Sequence, residues 1–344
     1  MRTLQRSAVL VGALALCLSA LVGCQRAGNR GTSGAALKPG EKVKVGFIVK
    51  MPEEPWFQYE WKFGQKCADK YGFQLIKIAG PDGEKVLAAI DNLAAQGAQG
   101  FVICTPDVRL GPAIAAKAKA KGLKLFSVDD RFVGSDGKPM KDVPYMGIAA
   151  ADIGRTVGKA LYEEMKRRGW PLEGTAAMAI TFDELETTKQ RTDGATEALV
   201  AAGFPKDRTY RGAEKTTDVP GSHEAANVVL TQHPEVKRWL IFSVNDEGVM
   251  GAVRATEIRG FSAKDVIAIG IGGISCVPEF QKKKPTGFCA TCLINCVRHG
   301  YETTEYMYKW VKEGKEPPKY TLTQGTIITR DTWHKVMKDR GMLD

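Results

Sequence analysis

Short apolar runs alternate with longer amphipathic segments along most of this chain. The strand-length apolar runs of the first half occupy residues 43–49, 73–78, 100–104 and 123–128. Helical patterns between them occupy residues 55–70, 84–96 and 110–121. This repeated β-α-β order is typical of a parallel sheet that is covered by helices on both faces.

The same alternation starts again after residues 149–150. Its helical patterns occupy residues 151–168, 184–202, 221–232 and 247–259, and its strand patterns occupy residues 176–180, 209–212, 238–244 and 266–271. The tail is less regular, with a strand at 287–292, a helix at 298–312, an extended segment at 320–328 and a helix at 332–340. The pattern therefore predicts an α/β fold of two doubly wound parallel-sheet lobes.

The N-terminal segment does not fit this pattern. Arg2 and Arg6 precede an apolar stretch at residues 8–21, which is too short for a lasting membrane span and is typical of an export signal. Small residues lead to Cys24, as at a bacterial lipoprotein processing site, although a plain secretory signal with an incidental cysteine is the alternative. We expect a lipoprotein signal peptide at 1–23, lipidation of Cys24 and a flexible tether at 24–41.

The net charge of +10 invites a nucleic-acid interpretation, but the pattern of charges does not support it. Lys and Arg are spread along the chain, mostly on predicted helix faces, and the signal directs the protein out of the cytoplasm. A solvated basic surface is the better interpretation, and no nucleic-acid partner is expected.

Six cysteines remain once Cys17 and Cys24 are set aside, and four of them fall within residues 276–296. The four clustered cysteines are Cys276, Cys289, Cys292 and Cys296; the other two are Cys67 and Cys104. An exported protein can form disulfides, so a disulfide within the cluster is the first expectation, buried free thiols the second and a metal site the third.

Polar side chains follow the predicted strands of both halves at their carboxyl ends, where open parallel sheets bind ligands. Carboxylates accept hydrogen bonds, Lys donates, Asn does both, and Arg offers a planar fork. Aromatic faces suit the C–H face of a sugar ring. The set that fits a neutral polyhydroxylated ligand is Lys50, Glu54, Trp56, Phe57, Asp129, Asp130, Arg191 and Asn245.

Each member of this set also has an ordinary structural interpretation. Asp130 could cap a turn, Arg191 could pair with a glutamate of its own helix, and Trp56 could belong to the core. Asn245 could simply cap the helix that follows it. The joint placement at strand ends in both halves favours a binding site.

Four sequence runs carry a resemblance to a known family. They are KMPEEPWFQ at 50–58, FVICTPD at 101–107, VDD at 128–130 and VRATE at 253–257. With them the chain, from about residue 42 to its end, resembles the L-arabinose-binding branch of the type I periplasmic binding proteins, which serve bacterial ABC importers. The resemblance implies no catalysis, no cofactor and no bound metal.

The resemblance also implies an organisation and a set of contacts. One lobe would comprise 42–149 and 294–324, the other 150–293 and 325–344, with a three-segment hinge. Lys50, Glu54, Asp130, Arg191 and Asn245 would hydrogen-bond the sugar, and Trp56 and Phe57 would contact its ring. The residues that would line or support the site are Asp129, Ile148, Leu185, Thr187 and Gly272.

This chain departs from the family at several of these positions. Gly272 stands where the family has a sugar-binding Asn, and Ile148 stands where it has a Met. Ser275 replaces an acidic residue, and Ile294 and Cys296 replace prolines. An unpaired hydroxyl in a closed site costs about 1–3 kcal/mol. L-Arabinose is thus one expected ligand, and D-galactose, D-fucose or another aldose are its rivals.

These features predict an extracytoplasmic binding protein, lipid-anchored in the periplasm or at the cell surface, which captures a monosaccharide by hinged closure. It would be a monomer that delivers the sugar to a membrane permease. The alternative is a sugar-sensing module that docks on a membrane receptor. An enzyme is not expected, because the side chains of adjacent Asp129 and Asp130 diverge and the four histidines lack metal-ligand spacing.

Overall fold

The computed structural model describes residues 40–343. The predicted signal peptide, the lipidation site at Cys24 and nearly all of the tether lie outside the described residues. Within the described residues, no helix is both long enough and apolar enough to cross a membrane.

The first sheet contains six parallel strands. They are β1 (Lys44–Val49), β2 (Gln74–Ala79), β3 (Gly100–Ile103), β4 (Lys124–Asp129), β5 (Tyr145–Ile148) and β11 (Tyr320–Thr323). Their order across the sheet is β11-β5-β4-β3-β1-β2. Helices α1 (Pro55–Tyr71), α2 (Gly83–Ala95), α3 (Gly111–Ala120) and α9 (Thr303–Glu313) belong to this half.

The second sheet also contains six strands. They are β6 (Thr175–Thr181), β7 (Thr209–Ala213), β8 (Arg238–Phe242), β9 (Val266–Gly272), β10 (Phe288–Ile294) and β12 (Gly325–Thr329), in the order β12-β10-β9-β8-β6-β7. Only β12 runs antiparallel to its neighbour. The helices of this half are α4 (Ala150–Arg167), α5 (Glu186–Ala201), α6 (Val219–Gln232), α7 (Asp246–Ile258), α8 (Val277–Phe280) and α10 (Trp333–Asp339).

Alternating strand residues supply a core on each face of each sheet. In β1, Val45 and Phe47 pack into one cluster of buried side chains, whereas Ile48 between Phe47 and Val49 packs into another. This period of two is the geometry of a strand buried on both faces, and it explains the continuous apolar runs in the sequence.

Local signals fix several helix ends. Pro55 occupies the first turn of α1, and Gly72, with a φ of 70°, ends it in the left-handed region. The Asp82 carboxylate accepts a hydrogen bond from the backbone N–H of Lys85, 2.8 Å away, and so caps α2. Most predicted elements agree with the observed bounds to within about two residues.

The chain passes between the two sheets three times. It leaves the first sheet after β5, returns from the second sheet after β10, and crosses again between β11 and β12, which only Gln324 separates. The sequence pattern treated residues 320–328 as one extended segment. The structure instead divides them between the two sheets.

Several other elements differ from the sequence expectation, among them the short helix α8, which was not expected. Strand β5 was not expected, and the helix predicted at 298–312 begins as a π-helical turn at Arg298–Glu302. Gly300 in this turn packs directly on the Glu60 backbone oxygen, where a side chain would collide. The close approach of α1 therefore shapes the start of this helix.

The disulfide expected among residues 276–296 is absent from the described part of the chain. Cys67, Cys104, Cys276, Cys289, Cys292 and Cys296 are all free thiols, and all but Cys289 are fully buried. Cys289 and Cys292 lie three residues apart on one strand, roughly 10 Å, which exceeds the reach of a disulfide. The second expectation, buried free thiols, matches the structure.

Candidate functional site

One cavity of about 190 Å³ lies among the carboxyl ends of strands from both sheets. All twelve residues predicted for the site line it: Lys50, Glu54, Trp56, Phe57, Asp129, Asp130, Ile148, Leu185, Thr187, Arg191, Asn245 and Gly272. The lining also includes Pro55, Thr188, Asp246, Glu247, Ile271, Ile274, Ser275 and Ile294. The carboxyl ends of the strands thus bring these side chains, which are distant in sequence, together at one place.

Lys50 and Asp130 form the charged centre of the cavity. The Nζ of Lys50 lies 2.6 Å from Oδ2 of Asp130, and both side chains are 16% exposed. Burial alone lowers the pKa of Lys50, but Cys104 and the carboxylates of Asp130 and Asp129 more than offset it and hold that pKa above its usual value. Lys50 is therefore a cation that can donate to a ligand oxygen beside an acceptor carboxylate.

Asp129 turns away from Asp130 because its backbone is left-handed. Its φ of 64° is positive, which no other described residue except glycine shares. Its Oδ2 accepts a hydrogen bond from Trp56 Nε1 at 3.0 Å, behind the cavity wall. Both aspartates line the cavity, but Asp130 directs its carboxylate to Lys50, whereas Asp129 holds the Trp56 ring.

Aromatic rings form one wall of the cavity. Trp56 is fixed by its bond to Asp129 and meets the ring of His299 edge-on, with the centroids 5.2 Å apart. Phe57 is buried, and the Lys50 Nζ lies 5.9 Å from its ring centre. This wall offers flat apolar surface next to charged hydrogen-bonding groups.

Arg191 and Thr187 reach the cavity from α5. Nη1 of Arg191 donates to the backbone oxygen of Val244 at 2.7 Å, and its buried Nε has no partner within residues 40–343. Burial lowers the pKa of Arg191, and the charges of Asp130 and Asp129 oppose that effect. Thr187 Oγ1 donates to Asp130 Oδ1 at 3.4 Å, so a contact joins the two halves across the cavity.

Asn245 lines the cavity and also caps the helix that follows it. Its Oδ1 accepts from Gly248 N at 2.7 Å, which caps α7, and its Nδ2 donates to the Thr217 oxygen at 2.7 Å. The amide retains one N–H and one oxygen lone pair, so capping and ligand contact are compatible.

The cavity is more acidic around Gly272 than the sequence analysis expected. Behind Gly272 lies the buried Asp246, whose oxygens accept from Thr291 Oγ1 at 2.6 Å and from Gly273 N at 2.7 Å. Burial, opposed by the Thr291 bond and reinforced by Glu247, raises the pKa of Asp246 to about 7. Glu247 itself accepts a hydrogen bond from Ser275 at the cavity edge.

Asp246 and Glu247 were missed although they directly follow the Asn245 of the predicted site. Their position at the carboxyl end of a strand is the signal that selected Asn245, and it applies equally to both. Their carboxylates supply acceptors on the side of the cavity where the expected amide is missing.

A buried cluster of three polar residues lies behind the aromatic wall. Glu60, Asp129 and His299 place one ligating atom each within 4.8 Å of one another, an arrangement that could hold a metal ion. The 2.7 Å separation between His299 Nδ1 and Asp129 Oδ1 is, however, that of a direct hydrogen bond. Sequence reasoning found neither Glu60 nor His299, because their contacts to Asp129 span large separations along the chain.

Comparison with known proteins relates this site to a family. A family model described as periplasmic binding proteins and sugar binding domain of LacI family matches residues 42–335. The L-arabinose-binding periplasmic protein of Escherichia coli (strain K12) is 52% identical over 303 residues, which cover 88% of this chain and 92% of that protein. The ABC transporter L-arabinose-binding periplasmic protein of Azospirillum brasilense is 48% identical over 342 residues, 99% of both chains.

Solved structures share the fold at lower sequence identity. A periplasmic solute binding protein of an ABC transporter from Actinobacillus succinogenes 130z, with bound D-allose, has a TM-score of 0.73 at 18% identity over 86% of this chain and all of its own. The binding protein of the arabinose ABC transporter from Shewanella sp. ANA-3, bound to L-arabinofuranose, has a TM-score of 0.70 at 19% identity, covering 87% of this chain and 96% of its own.

Proposed function

Because this chain belongs to the family of periplasmic binding proteins and LacI-type sugar-binding domains, we propose that it is the sugar-binding component of an ABC importer. It binds its ligand without chemical conversion and acts outside the cytoplasm, as the relatives named periplasmic do. The expectation of a binding protein rather than an enzyme agrees with these relatives.

The observation that carries this proposal is the convergence of charged groups from both halves on one small cavity. Lys50 and Asp130 come from the first half and Arg191 from the second, and all three face the same space. Paired donors and acceptors beside the Trp56 ring match a molecule with several hydroxyl groups and an apolar ring face. A monosaccharide has this chemistry.

L-Arabinose is the first candidate ligand, since two relatives of high identity carry it in their names. Gly272 offers no side-chain amide. The preference among aldoses therefore depends on whether Glu247 and Ser275 replace the hydrogen bonds that the Asn of the family would make. D-Galactose and D-fucose share the hydroxyl arrangement of L-arabinose and are the matched competitors. The twelve residues predicted for the site would line or contact the sugar, with Asp130 at the anomeric hydroxyl.

Capture proceeds by closure of two lobes about the three chain crossings. The lobes would comprise 42–149 with 294–324 and 150–293 with 325–344. A sugar that bonds to both lobes stabilises the closed form through contacts that the open form lacks. The closed monomer then docks on a membrane permease, which takes up the sugar.

Calorimetric titration with a panel of pentoses and hexoses tests the ligand assignment. We expect L-arabinose or a related aldose to bind in the micromolar range or tighter, about −8 kcal/mol or better. D-Mannitol, an acyclic polyol, serves as the control without a ring. An absence of binding heat with every aldose would overturn the proposal.

Anchoring at the membrane is part of the same proposal. Cys24, after processing at residues 1–23, would carry the lipid, and residues 24–41 would tether the binding domain near the permease. Incorporation of labelled fatty acid by the wild type and its loss in Cys24→Ser would support the anchor. Labelling that persists in Cys24→Ser would contradict it.

A further inference from the structure

His299 is buried between the ligand cavity and the chain crossings without lining the cavity itself. It is 0% exposed, and both of its ring nitrogens have partners. Nδ1 lies 2.7 Å from Asp129 Oδ1, and Nε2 lies 2.7 Å from Thr323 Oγ1. The histidine thus connects the residue that holds Trp56 to the last residue of β11.

Hydrogen bonds link Asp129, His299, Thr323 and Gly147 in series. Thr323 Oγ1 donates to the backbone oxygen of Gly147 at 3.2 Å and also contacts Nε2 of His299 at 2.7 Å. An ionised Asp129 can only accept, so Nδ1 of His299 donates to it, and this hydrogen bond to a buried carboxylate is charge-assisted.

These contacts join all three places where the chain passes between the sheets. Gly147 lies just before the first crossing, His299 shortly after the second, and Thr323 directly before the third. The backbone N–H of Ala149 also donates to the Thr323 oxygen at 3.0 Å. The His299 side chain therefore connects the crossings to each other and, through Asp129, to the aromatic wall.

We propose that His299 is a positioning residue for the cavity. Its bonds to Asp129 and Thr323, which we call the latch, hold the aromatic wall in position relative to the three crossings. This inference rests on the proposed sugar binding, since its main readout is sugar affinity. His299 touches no ligand, so its influence passes through Asp129 and the crossings.

Glu60 gives the latch a second, independent observable. It is fully buried, its Oε1 lies 3.9 Å from His299 Nδ1, and within residues 40–343 neither of its oxygens accepts a hydrogen bond. The groups that face it are Asp129, Asp130, Lys50, His299 and the thiols Cys104 and Cys296. Two of these groups are carboxylates and two are basic side chains.

Protonation of Glu60 follows from this environment. Burial and then the charge of Asp129 raise its pKa well above the usual value, whereas His299 and Trp56 hold the pKa of Asp129 below its usual value against the effect of burial. A raised pKa in the folded state stabilises the fold fully below the ordinary glutamate pKa, and that stabilisation is lost as pH rises through the raised value. Glu60→Gln, which cannot ionise, removes this dependence.

The primary test compares sugar binding by full-length wild type, His299→Gln and the matched control His334→Gln. His334 is exposed, so its replacement controls for the effect on affinity. Its ring meets that of Trp333 edge-on, with the centroids 5.4 Å apart, so the fluorescence of His299→Gln is compared with that of the wild type. We expect His299→Gln to bind sugar about tenfold more weakly, within the range of coupling between linked groups, and to shift the tryptophan fluorescence. Wild-type affinity and fluorescence in His299→Gln would overturn the latch.

Thr323 supplies a second pair of variants in case His299→Gln does not fold. Thr323→Ser keeps the hydroxyl and should bind like the wild type, whereas Thr323→Val removes it and should bind about threefold to tenfold more weakly. Equal affinities of the two variants would contradict the proposal. If Thr323 had a purely structural role, the melting temperatures of both variants would fall, and their affinity for sugar at 25 °C would stay unchanged.

The two proposals fail in different ways. If the wild type binds none of the sugars, the proposed function is wrong, and the latch is then judged on the ligand-free protein. In that case Glu60→Gln should flatten the fall of melting temperature with rising pH, and Thr323→Val should shift the tryptophan fluorescence relative to Thr323→Ser. An unchanged pH profile in Glu60→Gln, together with equal fluorescence of the Thr323 variants, would defeat the latch on its own.

Discussion

At the scale of single residues, the site depends on two adjacent aspartates that face opposite ways. The positive φ of Asp129 directs its carboxylate to Trp56 and His299, while Asp130 faces Lys50 in the cavity. A strained backbone held at a ligand site is a common feature of preorganised binding.

The Asp130→Asn substitution should destabilise the protein, because it leaves the buried Lys50 cation without its nearest anion. We expect the free energy of unfolding to fall by about 1–3 kcal/mol. Urea denaturation measures the effect. The matched control is Asp136→Asn, whose ion pair with Lys138 is exposed and should contribute at most about 1 kcal/mol. Equal losses in both variants would contradict this account.

The sequence identified cavity residues well where chemistry and strand position agreed. Eight of the twelve predicted residues were selected by chemistry and strand position, and these eight share one cavity. The other four, Ile148, Leu185, Thr187 and Gly272, were implied by the resemblance. Their ligand contacts remain predictions. Glu60 and His299 could not be found this way, since the contact between His299 and Asp129 joins residues 170 positions apart.

At the scale of elements, apolar periodicity predicted most strands and helices because each sheet is buried on both faces. It failed at β5, where only four residues (Tyr145–Ile148) form the strand, directly after a proline. A run this short carries no clear period. It also failed to separate β11 from β12, because one residue between two extended segments leaves no turn signal.

The end of β7 provides a prediction about pH. Glu214 follows this strand, is 6% exposed and has no hydrogen-bond partner for either oxygen within the described residues. Burial, followed by the charges of Asp218 and Glu247, raises its pKa to about 8. The stabilisation is full below the ordinary glutamate pKa of about 4.3 and is lost as pH rises through about 8.

Glu214→Gln should therefore melt a few degrees above the wild type at about pH 9 and close to it at about pH 4. Scanning calorimetry across this pH range measures the difference. The exposed Glu224→Gln on α6 is the control and should follow the wild type throughout. A constant offset between Glu214→Gln and wild type at all pH values would rule out the titration.

At the scale of the whole molecule, two similar sheets with helices on both faces share a cavity at their strand ends. The restart of the pattern along the chain predicted two parallel-sheet lobes, which the two observed sheets confirm. The assignment of the last two strands to different lobes was implied by the resemblance and not by periodicity. The expected disulfide was wrong, because spacing in sequence says nothing about the face on which each sulfur packs.

Reducing agents should leave the stability of the protein unchanged. The six described thiols are free, and five of them are fully buried, so no described covalent cross-link contributes to stability. We expect the same melting temperature with and without dithiothreitol. A lower melting temperature in dithiothreitol would reveal a disulfide that the structure does not contain.

The single residue between β11 and β12 also limits how such genes can exchange parts. Neither half of the molecule is one continuous stretch of sequence, because β11 completes the first sheet and β12 the second. A recombination event with one breakpoint between β1 and β12 therefore yields at least one sheet of mixed parentage. Grafting an intact half from a relative requires three junctions, one of them at Gln324.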